Sequence, residues 1–363
     1  MTAQSLLAAF PVLLVGVATC LSPLATRPTV QFGVRVPPGR TGAAVIGRER
    51  RAYMQRTGVL AVCCTAAAVL FTSGWAWLVA PLVLLQVAAG FGCFLLARER
   101  ISAVKAEEGW FEGVRQTVTA DTSWRTEPER FPVLWAVPAL AVVAATVIAG
   151  IVRYPDLPDR LPVHFTLSGT ADRWADRSVW SAFSIVPAQL FVTAVVVGLL
   201  VLTYRSRPDT DAADPASTRR YRRFLGVTAR AVLLLAALAD AGLLLGALQI
   251  WQVYRPSGAA AALPLVPVAA GTVGLVVVLL RMGQGGHRLP APDAAAAGAR
   301  PAGGRDDDRY WKAGVLYVNR DDPAIVVGRR FGIGWTLNFG NPRAWWIFGA
   351  IVAVAVGLSR LQQ

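Results

Sequence analysis

Eight stretches of this chain are long, apolar and almost free of charge, and they constrain its fold more than any other feature. A helix of about 20 apolar residues crosses the hydrocarbon core of a bilayer. Charged residues make up only 16% of the chain, whereas about a quarter of the residues in soluble domains are charged. The sequence therefore predicts an all-α polytopic membrane bundle of about eight transmembrane helices. The predicted spans are Ser5–Leu24, Gly58–Ser73, Ala76–Leu96, Pro132–Val152, Phe183–Tyr204, Phe224–Trp251, Ala261–Leu280 and Trp345–Leu358.

The last predicted span is close to the lower length limit for a crossing helix. A re-entrant or interfacial segment is the alternative for this stretch. The first span could instead be a signal peptide, but it lacks a basic leading region and a small-residue cleavage site. We therefore predict that it stays in the membrane.

The distribution of Lys and Arg predicts the orientation, because these residues are retained on the cytoplasmic side. The odd-numbered connections between spans carry 29 Lys and Arg residues, and the even-numbered connections carry five. This alternation predicts a multi-pass protein with its N-terminus outside. It also accounts for the net charge of +14, since anionic lipid headgroups attract basic residues beside spans. The expected partner of these charges is the lipid bilayer, and no nucleic-acid binding is predicted.

The connection between the fourth and fifth spans is expected to form a small extracellular strand and turn. Three prolines between Tyr154 and Pro162 exclude a regular helix. Apolar and polar residues then alternate from Val163 to Ser168, which is typical of a strand, and Ser168-Gly169 indicates a turn. We expect this loop to bind an external partner through Pro155, Pro158, Pro162, His164, Phe165, Gly169 and Asp172.

His164 has two interpretations. It could sense pH on the outer face, because histidine titrates near neutrality. It could instead hydrogen-bond across the turn to Asp172 or to a backbone carbonyl. A metal site would need more ligands than this loop offers, so no metal and no cofactor are predicted.

The C-terminal part is expected to form a small cytoplasmic domain that contains a β-hairpin. Residues 282–308 are rich in Gly, Ala and Pro and predict a disordered linker. Val315–Val318 and Ala324–Val327 are predicted to pair as a hairpin. The aromatic and glycine-rich tract from Arg329 to Pro342 is typical of an interfacial platform.

Two of these tracts resemble known bacterial domains. The run Tyr-Pro-x-Leu-Pro-x-x-Leu-Pro-x-His-Phe from Tyr154 to Phe165 resembles a membrane domain of unknown function that also occurs in SdpI-type toxin-immunity proteins. Residues Phe32–Pro37 are similar to a second short motif of that group. The C-terminal tract is similar to an uncharacterised domain that accompanies the first. Its matching residues are Asp322, Pro323, Arg330, Phe331, Gly332, Gly334, Trp335, Asn338, Asn341 and Pro342.

The resemblance implies a bacterial plasma-membrane protein that protects against a secreted toxin. In the type member of that group the protein also signals to a repressor. Its partners would then be an extracellular peptide and a cytoplasmic regulatory protein. The chain is longer than SdpI-type proteins and carries the additional cytoplasmic domain.

Two charged residues, Arg230 and Asp240, lie within the sixth predicted span and are functional candidates. They are about 15 Å apart along one helix, so they cannot pair with each other. Arg230 can extend its charge toward the cytoplasmic surface. Asp240 lies deeper and could join helices or form the ion site of a secondary transporter or a lipid or peptide carrier. Further polar residues that are typical of interhelical hydrogen bonds are Gln86, Gln189 and Gln249.

No phosphate-binding loop, nucleophile elbow or zinc-protease motif occurs in the sequence. We therefore predict a membrane protein that is not an enzyme. Its expected units are residues 1–131 with three spans, 132–204 with the outer loop between two spans, 205–281 with the sixth and seventh spans, the linker 282–308, and the C-terminal domain and last span at 309–363.

Overall fold

The computed structural model describes residues 3–71, 76–112, 129–166, 169–206, 215–254, 258–290 and 306–361, and most of these residues are helical. Short β-hairpins lie between and after the helices. The helices are α1 (Ala3–Ala25), α2 (Ala44–Phe71), α3 (Val79–Glu107), α4 (Val137–Arg153), α5 (Val179–Phe183), α6 (Ile185–Tyr204), α7 (Pro215–Ile250), α8 (Leu265–Met282) and α9 (Pro342–Leu361). The strands are β1 (Val30–Gln31), β2 (Val34–Arg35), β3 (Arg160–Phe165), β4 (Ala171–Asp176), β5 (Trp311–Lys312), β6 (Leu316–Tyr317), β7 (Val326–Gly328) and β8 (Trp335–Leu337).

Among the described residues, seven helical stretches are long and apolar enough to cross a membrane. They contain helices α1 to α4, α6, α7 and α8, and they coincide with the first seven predicted spans. The eighth predicted span lies within α9, where the side chains of residues 354–361 fall outside the described part of the chain. The crossing of α9 therefore stays a prediction.

The helices expose apolar side chains and bury small or polar ones, which is the pattern of a bundle whose solvent is lipid. Val62 and Leu134 are 70% and 80% exposed, whereas Ala68 and Thr146 are fully buried. Packing in lipid favours small residues at helix contacts because they let backbones approach closely. Gly16 shows this directly, since a Cβ there would lie 2.5 Å from the Cβ of Ala61.

The helices form two groups. In the first group α1 packs against α2 and α3, and in the second group α4, α6 and α8 surround α7. Contacts between α1 and α8 join the groups. Because α7 has 36 residues, it is about 54 Å long and extends beyond a bilayer core.

The outer loop forms the antiparallel hairpin of β3 and β4, with a register that pairs Arg160 with Asp176 and Leu161 with Ala175. The strand begins three residues before the predicted start at Val163. It includes Pro162, which sequence reasoning had placed outside the strand. The register shifts next to Pro162, because a proline has no N–H for the ladder and is found at edges and bulges.

The predicted pairing in the C-terminal domain is wrong. Val315–Val318 does not pair with Ala324–Val327. Instead β5 pairs with β6, and β7 pairs with β8. The turn between β5 and β6 holds Ala313 and Gly314 at positive φ angles, and the side chain of Asn338 holds the loop that was predicted to be the hairpin turn.

The ends of the predicted linker 282–308 are ordered, contrary to the disorder predicted for the whole tract. Met282 and Gln284 are buried, and the Gln284 side chain accepts a hydrogen bond from the backbone N–H of Arg27 at 3.2 Å. At the other end, Asp307 and Asp308 form ion pairs with the N-terminal half of the chain. Residues 291–305 lie outside the described residues. Composition alone did not predict the order of these two ends, because only a few polar residues hold each end in place.

Candidate functional site

The outer hairpin carries an exposed hydrogen-bonded pair. The Nδ1 atom of His164 lies 2.6 Å from Oδ1 of Asp172, and both side chains are about half exposed. The hydrogen bond from His164 holds the pKa of Asp172 below its ordinary value. Of the two interpretations of His164, the hydrogen bond to Asp172 is present. The turn is closed by Gly169, which has a φ of +84° and donates its N–H to the carbonyl of Thr166 at 2.9 Å.

The hairpin is anchored on the C-terminal end of α7. Leu161 is fully buried and packs in one cluster with Leu157, Ile250 and Trp251. The indole Nε1 of Trp251 donates to the carbonyl of Ala182 at 2.9 Å. Thus the base of the hairpin is fixed to the bundle while His164 and Asp172 face outward.

The predicted prolines and Phe165 shape this hairpin. Pro155 lies in a short 3-10 turn after α4, and Pro158 precedes β3. Phe165 packs against the same cluster as Leu161. These residues are scaffold, and the exposed groups that a partner could meet are His164, Asp172 and Trp174.

Asp240 lies in a polar cluster inside the bundle. Thr193 on α6 donates to Oδ2 of Asp240 at 2.7 Å. The side-chain amide of Gln189 on α6 lies 2.9 Å from both the Thr146 hydroxyl on α4 and the main-chain carbonyl of Asp240. Asp240 and Gln189 are 0% exposed. The prediction that Gln189 forms interhelical hydrogen bonds is confirmed.

Two acceptors in this intramembrane cluster have no donor. They are Oδ1 of Asp240 and Oε1 of Gln189. Among the residues that the structure describes, no Lys or Arg forms an ion pair with Asp240, and Arg230 is exposed ten positions away. A buried acceptor without a donor is costly. The cluster can therefore accept a proton or another small cation.

The C-terminal domain is joined to the N-terminal half by a network of charges. We call it the junction network and define it by the basic residues Arg35, Lys105 and Arg330 and the acidic residues Asp306, Asp307 and Asp308. The buried guanidinium of Arg330 pairs with Asp307 and Asp308 and donates to the carbonyl of Gly33 at 3.0 Å. Lys105 lies 2.8 Å from Asp306 and 2.6 Å from Asp308. Arg35 pairs with Asp307 at 3.3 Å.

Asp308 is the acid of the junction network whose pKa is shifted, and the shift favours its charged form. Burial by itself would raise the pKa of Asp308, but Arg330 and Lys105 outweigh it and hold the pKa below the ordinary value. The backbone N–H of Arg35 also donates to Asp308 at 3.0 Å. The network thus pairs three acidic residues with three basic ones, and Arg98 is a further basic residue that interacts with Asp308.

An aromatic cluster lies beside the junction network. The ring of Phe331 stacks on Phe32 with centroids 5.4 Å apart, and it contacts Phe94 at 4.7 Å and Tyr53 at 5.8 Å. The neighbouring Gly332, at a φ of +72°, donates its N–H to Thr26 at 3.1 Å. The tract predicted as an interfacial platform therefore packs Phe331 against the membrane half of the protein.

The same domain also contacts the N-terminal part of α7. The ring of Trp335 lies 5.9 Å from that of Phe224, and its Nε1 donates to the hydroxyl of Tyr221 at 3.2 Å. Gly334, at a φ of +128°, lets the chain turn immediately before Trp335. This contact and the hairpin anchor lie at opposite ends of one helix.

The remaining predicted residues of the C-terminal domain hold its own loops. Asn338 is fully buried, and its side-chain amide nitrogen lies 2.9 Å from the carbonyl of Asn319 and 3.0 Å from that of Asp322. Asn341 donates to the carbonyl of Pro323 at 3.0 Å. Its Oδ1 accepts the N–H of Arg343, directly after Pro342 opens α9.

Sequence reasoning missed most partners of the predicted residues. Asp306, Asp307 and Asp308 were assigned to the linker, and Arg35 and Lys105 were counted only as basic residues beside spans. The available signal was a run of three acids in an otherwise basic region. Among the described residues, no group of three or more His, Cys, Asp or Glu could hold a metal ion.

Comparisons with known families give two matches. Residues 141–190 match a domain of unknown function, DUF1648, and residues 320–345 match a family of unknown function, DUF5808. No curated protein and no solved structure matches the chain. The first match contains the hairpin of β3 and β4, and the second contains β7 and β8. The chain is thus similar to two domains of unknown function and carries seven helices of membrane-spanning length.

Proposed function

We propose that this protein is a non-enzymatic membrane sensor that relays an extracellular peptide cue to a cytoplasmic regulatory partner. The observation that carries the proposal is that α7 contacts the outer hairpin at one end and the C-terminal domain at the other. A helix about 54 Å long can transmit a displacement between two sites when both are packed on it. The resemblance to SdpI-type proteins gives the class of cue, a secreted toxic peptide.

The charge distribution supports the orientation of this sensor. The basic connections lie on the side of the junction network, and the hairpin lies at the opposite end of α7. With Lys and Arg retained in the cytoplasm, the hairpin and the N-terminus are outside the bacterial plasma membrane. The exposed groups of the hairpin would then meet the peptide.

Amide hydrogen exchange tests the relay. Trp251→Ala removes the hydrogen bond to Ala182 and loosens the hairpin anchor. If α7 relays, amides of Val326–Leu337 exchange faster in this variant, although they lie at the other end of α7. The matched control is Trp180→Ala, because Trp180 is exposed beside the same hairpin. Equal exchange in Trp251→Ala and wild-type protein would exclude the relay.

The external role of the hairpin has its own test. Cells that carry the His164→Ala, Asp172→Asn double variant are exposed to secreted-peptide fractions of competing bacteria. We expect survival to fall to that of cells without the gene, at unchanged protein level. A variant that protects as well as the wild-type protein would remove the hairpin from the proposal.

One observation favours a second function, that of a secondary transporter or a lipid or peptide carrier. Oδ1 of Asp240 and Oε1 of Gln189 are buried acceptors without a donor, and a proton or a cation bound at Asp240 would satisfy its free oxygen. Intramembrane acids of this kind mark ion and proton pathways. In proteoliposomes with an imposed potential, a carrier would show proton or sodium flux.

The variants of Asp240 separate the two functions. Asp240→Asn removes the titratable group and would abolish this flux, whereas Asp240→Glu would retain part of it. Flux that Asp240→Asn leaves unchanged would exclude the carrier. The relay could persist in either case, because the hairpin anchor does not include Asp240.

A further inference from the structure

A cavity of about 540 Å³ lies where the end of α1 meets the beginning of α2. Its walls come from three segments that are distant in the sequence. They are residues between Pro23 and Gln31 at the end of α1 and just after it, residues between Thr41 and Arg51, and His287 with Arg288 after α8. Because Pro23 and Leu24 end a membrane-spanning helix, the cavity lies at the level of the lipid headgroups on the side of the junction network.

The lining of the cavity is strongly basic. Three arginines and one histidine line it, and no acidic residue does. Neighbouring arginines on this surface have acidic partners, as Arg48 has Glu49 at 3.4 Å and Arg40 has Glu108 at 2.9 Å. Among the described residues, Arg50 and Arg51 form no such pair. Both side chains are exposed, so their charges are accessible to an anion from outside the protein.

The first turn of α2 adds to this positive potential. The cavity is lined here by Thr41, Gly42, Ala43, Ala44, Ile46 and Gly47, and α2 begins at Ala44 with no acidic residue in its first turn. The N–H groups of Ile46 and Gly47 already donate to the carbonyl of Ala43. The start of α2 therefore contributes mainly the positive end of its helix dipole, which favours anions. At Gly47 a Cβ would meet only an Arg51 nitrogen, at 3.9 Å. The space next to the arginines is thus open.

The opposite wall is fixed and also basic. The guanidinium of Arg288 donates to the carbonyl of Leu280 at 2.7 Å and to that of Leu24, so it joins the ends of α8 and α1. Burial lowers the pKa of His287, and the nearby guanidinium groups of Arg288, Arg27 and Arg220 lower it further. Additional positive charge is therefore unfavourable at His287, and a bound anion would stabilise this wall of the cavity.

We propose that this cavity binds a phosphate-bearing anion, either the headgroup of an anionic phospholipid or a free phosphate compound. Arg50 and Arg51 supply charge-assisted hydrogen bonds to phosphate oxygens. The positive end of the α2 dipole lies on the same face and adds to the attraction. The site does not depend on the relay or on Asp240.

The test uses the full-length protein and two probes. The first is phosphatidylglycerol at low mole fraction in nanodiscs of phosphatidylcholine, with native mass spectrometry to count retained lipids. The second is pyrophosphate added to the protein in an uncharged detergent, with the shift in unfolding temperature as the readout. Together the probes distinguish a lipid headgroup from a free phosphate.

Matched variants separate a built site from general attraction. Arg50→Gln with Arg51→Gln removes two charges from the cavity, and Arg48→Gln with Arg56→Gln removes two charges from the same helix outside it. Gly47→Leu fills the open space and leaves the charge unchanged. We expect the cavity double variant and Gly47→Leu to weaken binding about tenfold or more, and the control double variant to weaken it by less than about threefold.

Each outcome decides the proposal. Saturable retention of one phosphatidylglycerol that only the cavity variants lose supports the lipid headgroup. Pyrophosphate stabilisation with the same pattern, without lipid retention, supports a free phosphate compound. If both double variants lose binding equally, or if Gly47→Leu binds both probes as the wild-type protein does, the proposal is overturned.

Discussion

The junction network and the intramembrane cluster around Asp240 both bury acidic groups, but they balance them differently. At the junction, Arg35, Lys105 and Arg330 face three aspartates. Inside the bundle, Asp240 has only neutral neighbours, and its Oδ1 has no donor. A balanced network holds two parts of a protein together, whereas an unbalanced acid leaves room for a ligand or a proton. Aspartates thus stabilise the contact between two parts of the chain at the junction, whereas inside the bundle Asp240 keeps a carboxylate oxygen without a donor.

The largest expected effect is the removal of the central base at the junction. Arg330→Met leaves Asp307 and Asp308 partly buried without their main partner. Breaking a buried ion pair in this way costs about 3 kcal/mol or more. The measurement is the free energy of local opening of Val326–Leu337 from amide exchange. Arg309→Met is the control, since Arg309 is exposed, and a cost equal to that of the control would show that the network does not hold the domain.

The aromatic cluster should contribute the next largest effect. Phe331→Ala removes the ring that packs on Phe32, Tyr53 and Phe94. Because Phe331 is only partly buried, we expect a cost below the roughly 3–5 kcal/mol of a fully buried ring. The same exchange experiment measures it. Phe331→Leu should recover part of the loss. If Phe331→Ala had no effect, the charges alone would hold the junction.

Acid should weaken the junction next. The folded-state pKa of Asp308 is lowered, so its contribution is fully present above the ordinary pKa of about 4 and is lost as the pH falls further. Amide exchange of Val326–Leu337, corrected for its intrinsic pH dependence, should show a smaller free energy of opening at about pH 3 than at about pH 6. Asp308→Asn should be less stable at the higher pH and show less of this change. A pH response identical to that of the wild-type protein would contradict the assignment.

The smallest effect is expected at Asp240. Asp240→Asn keeps an acceptor for the Thr193 hydroxyl, and interhelical hydrogen bonds in membranes contribute under about 1 kcal/mol on average. Unfolding in mixed micelles should therefore change little, in contrast to Arg330→Met. A loss as large as that at the junction would mean that the carboxylate is balanced by a bound partner, which would sharpen the case for a cation site.

The helices could be predicted well, and the pairings of the short strands could not. Spans follow from a local property, since a run such as Ala76–Leu96 is apolar whatever surrounds it. The hairpins depend on contacts between distant residues. The pairing of Val315–Val318 was wrong because Asn338, which lies 20 or more residues further on, occupies the loop that a simple hairpin would need as its turn.

The candidate residues show the same division. His164 and Asp172 are close in sequence, so their hydrogen bond could be expected from the turn between them. Arg330 was identified through a family resemblance, but its partners at Gly33, Asp307 and Asp308 were not. No periodicity links residues that are 297 positions apart.

The amino-acid sequence by itself determined that lipid surrounds most of this protein, because hydrophobicity and the placement of arginines are properties of each segment. It also determined the positions of the spans. The tertiary structure alone decided that the C-terminal domain is fixed to the N-terminal half, that Asp240 lacks a counter-charge among the described residues, and that Arg50 and Arg51 face a shared cavity. These facts depend on which charges meet after folding. The strength of an electrostatic attraction depends on the distance between the two charged groups in the folded protein. No single segment of the sequence specifies that distance.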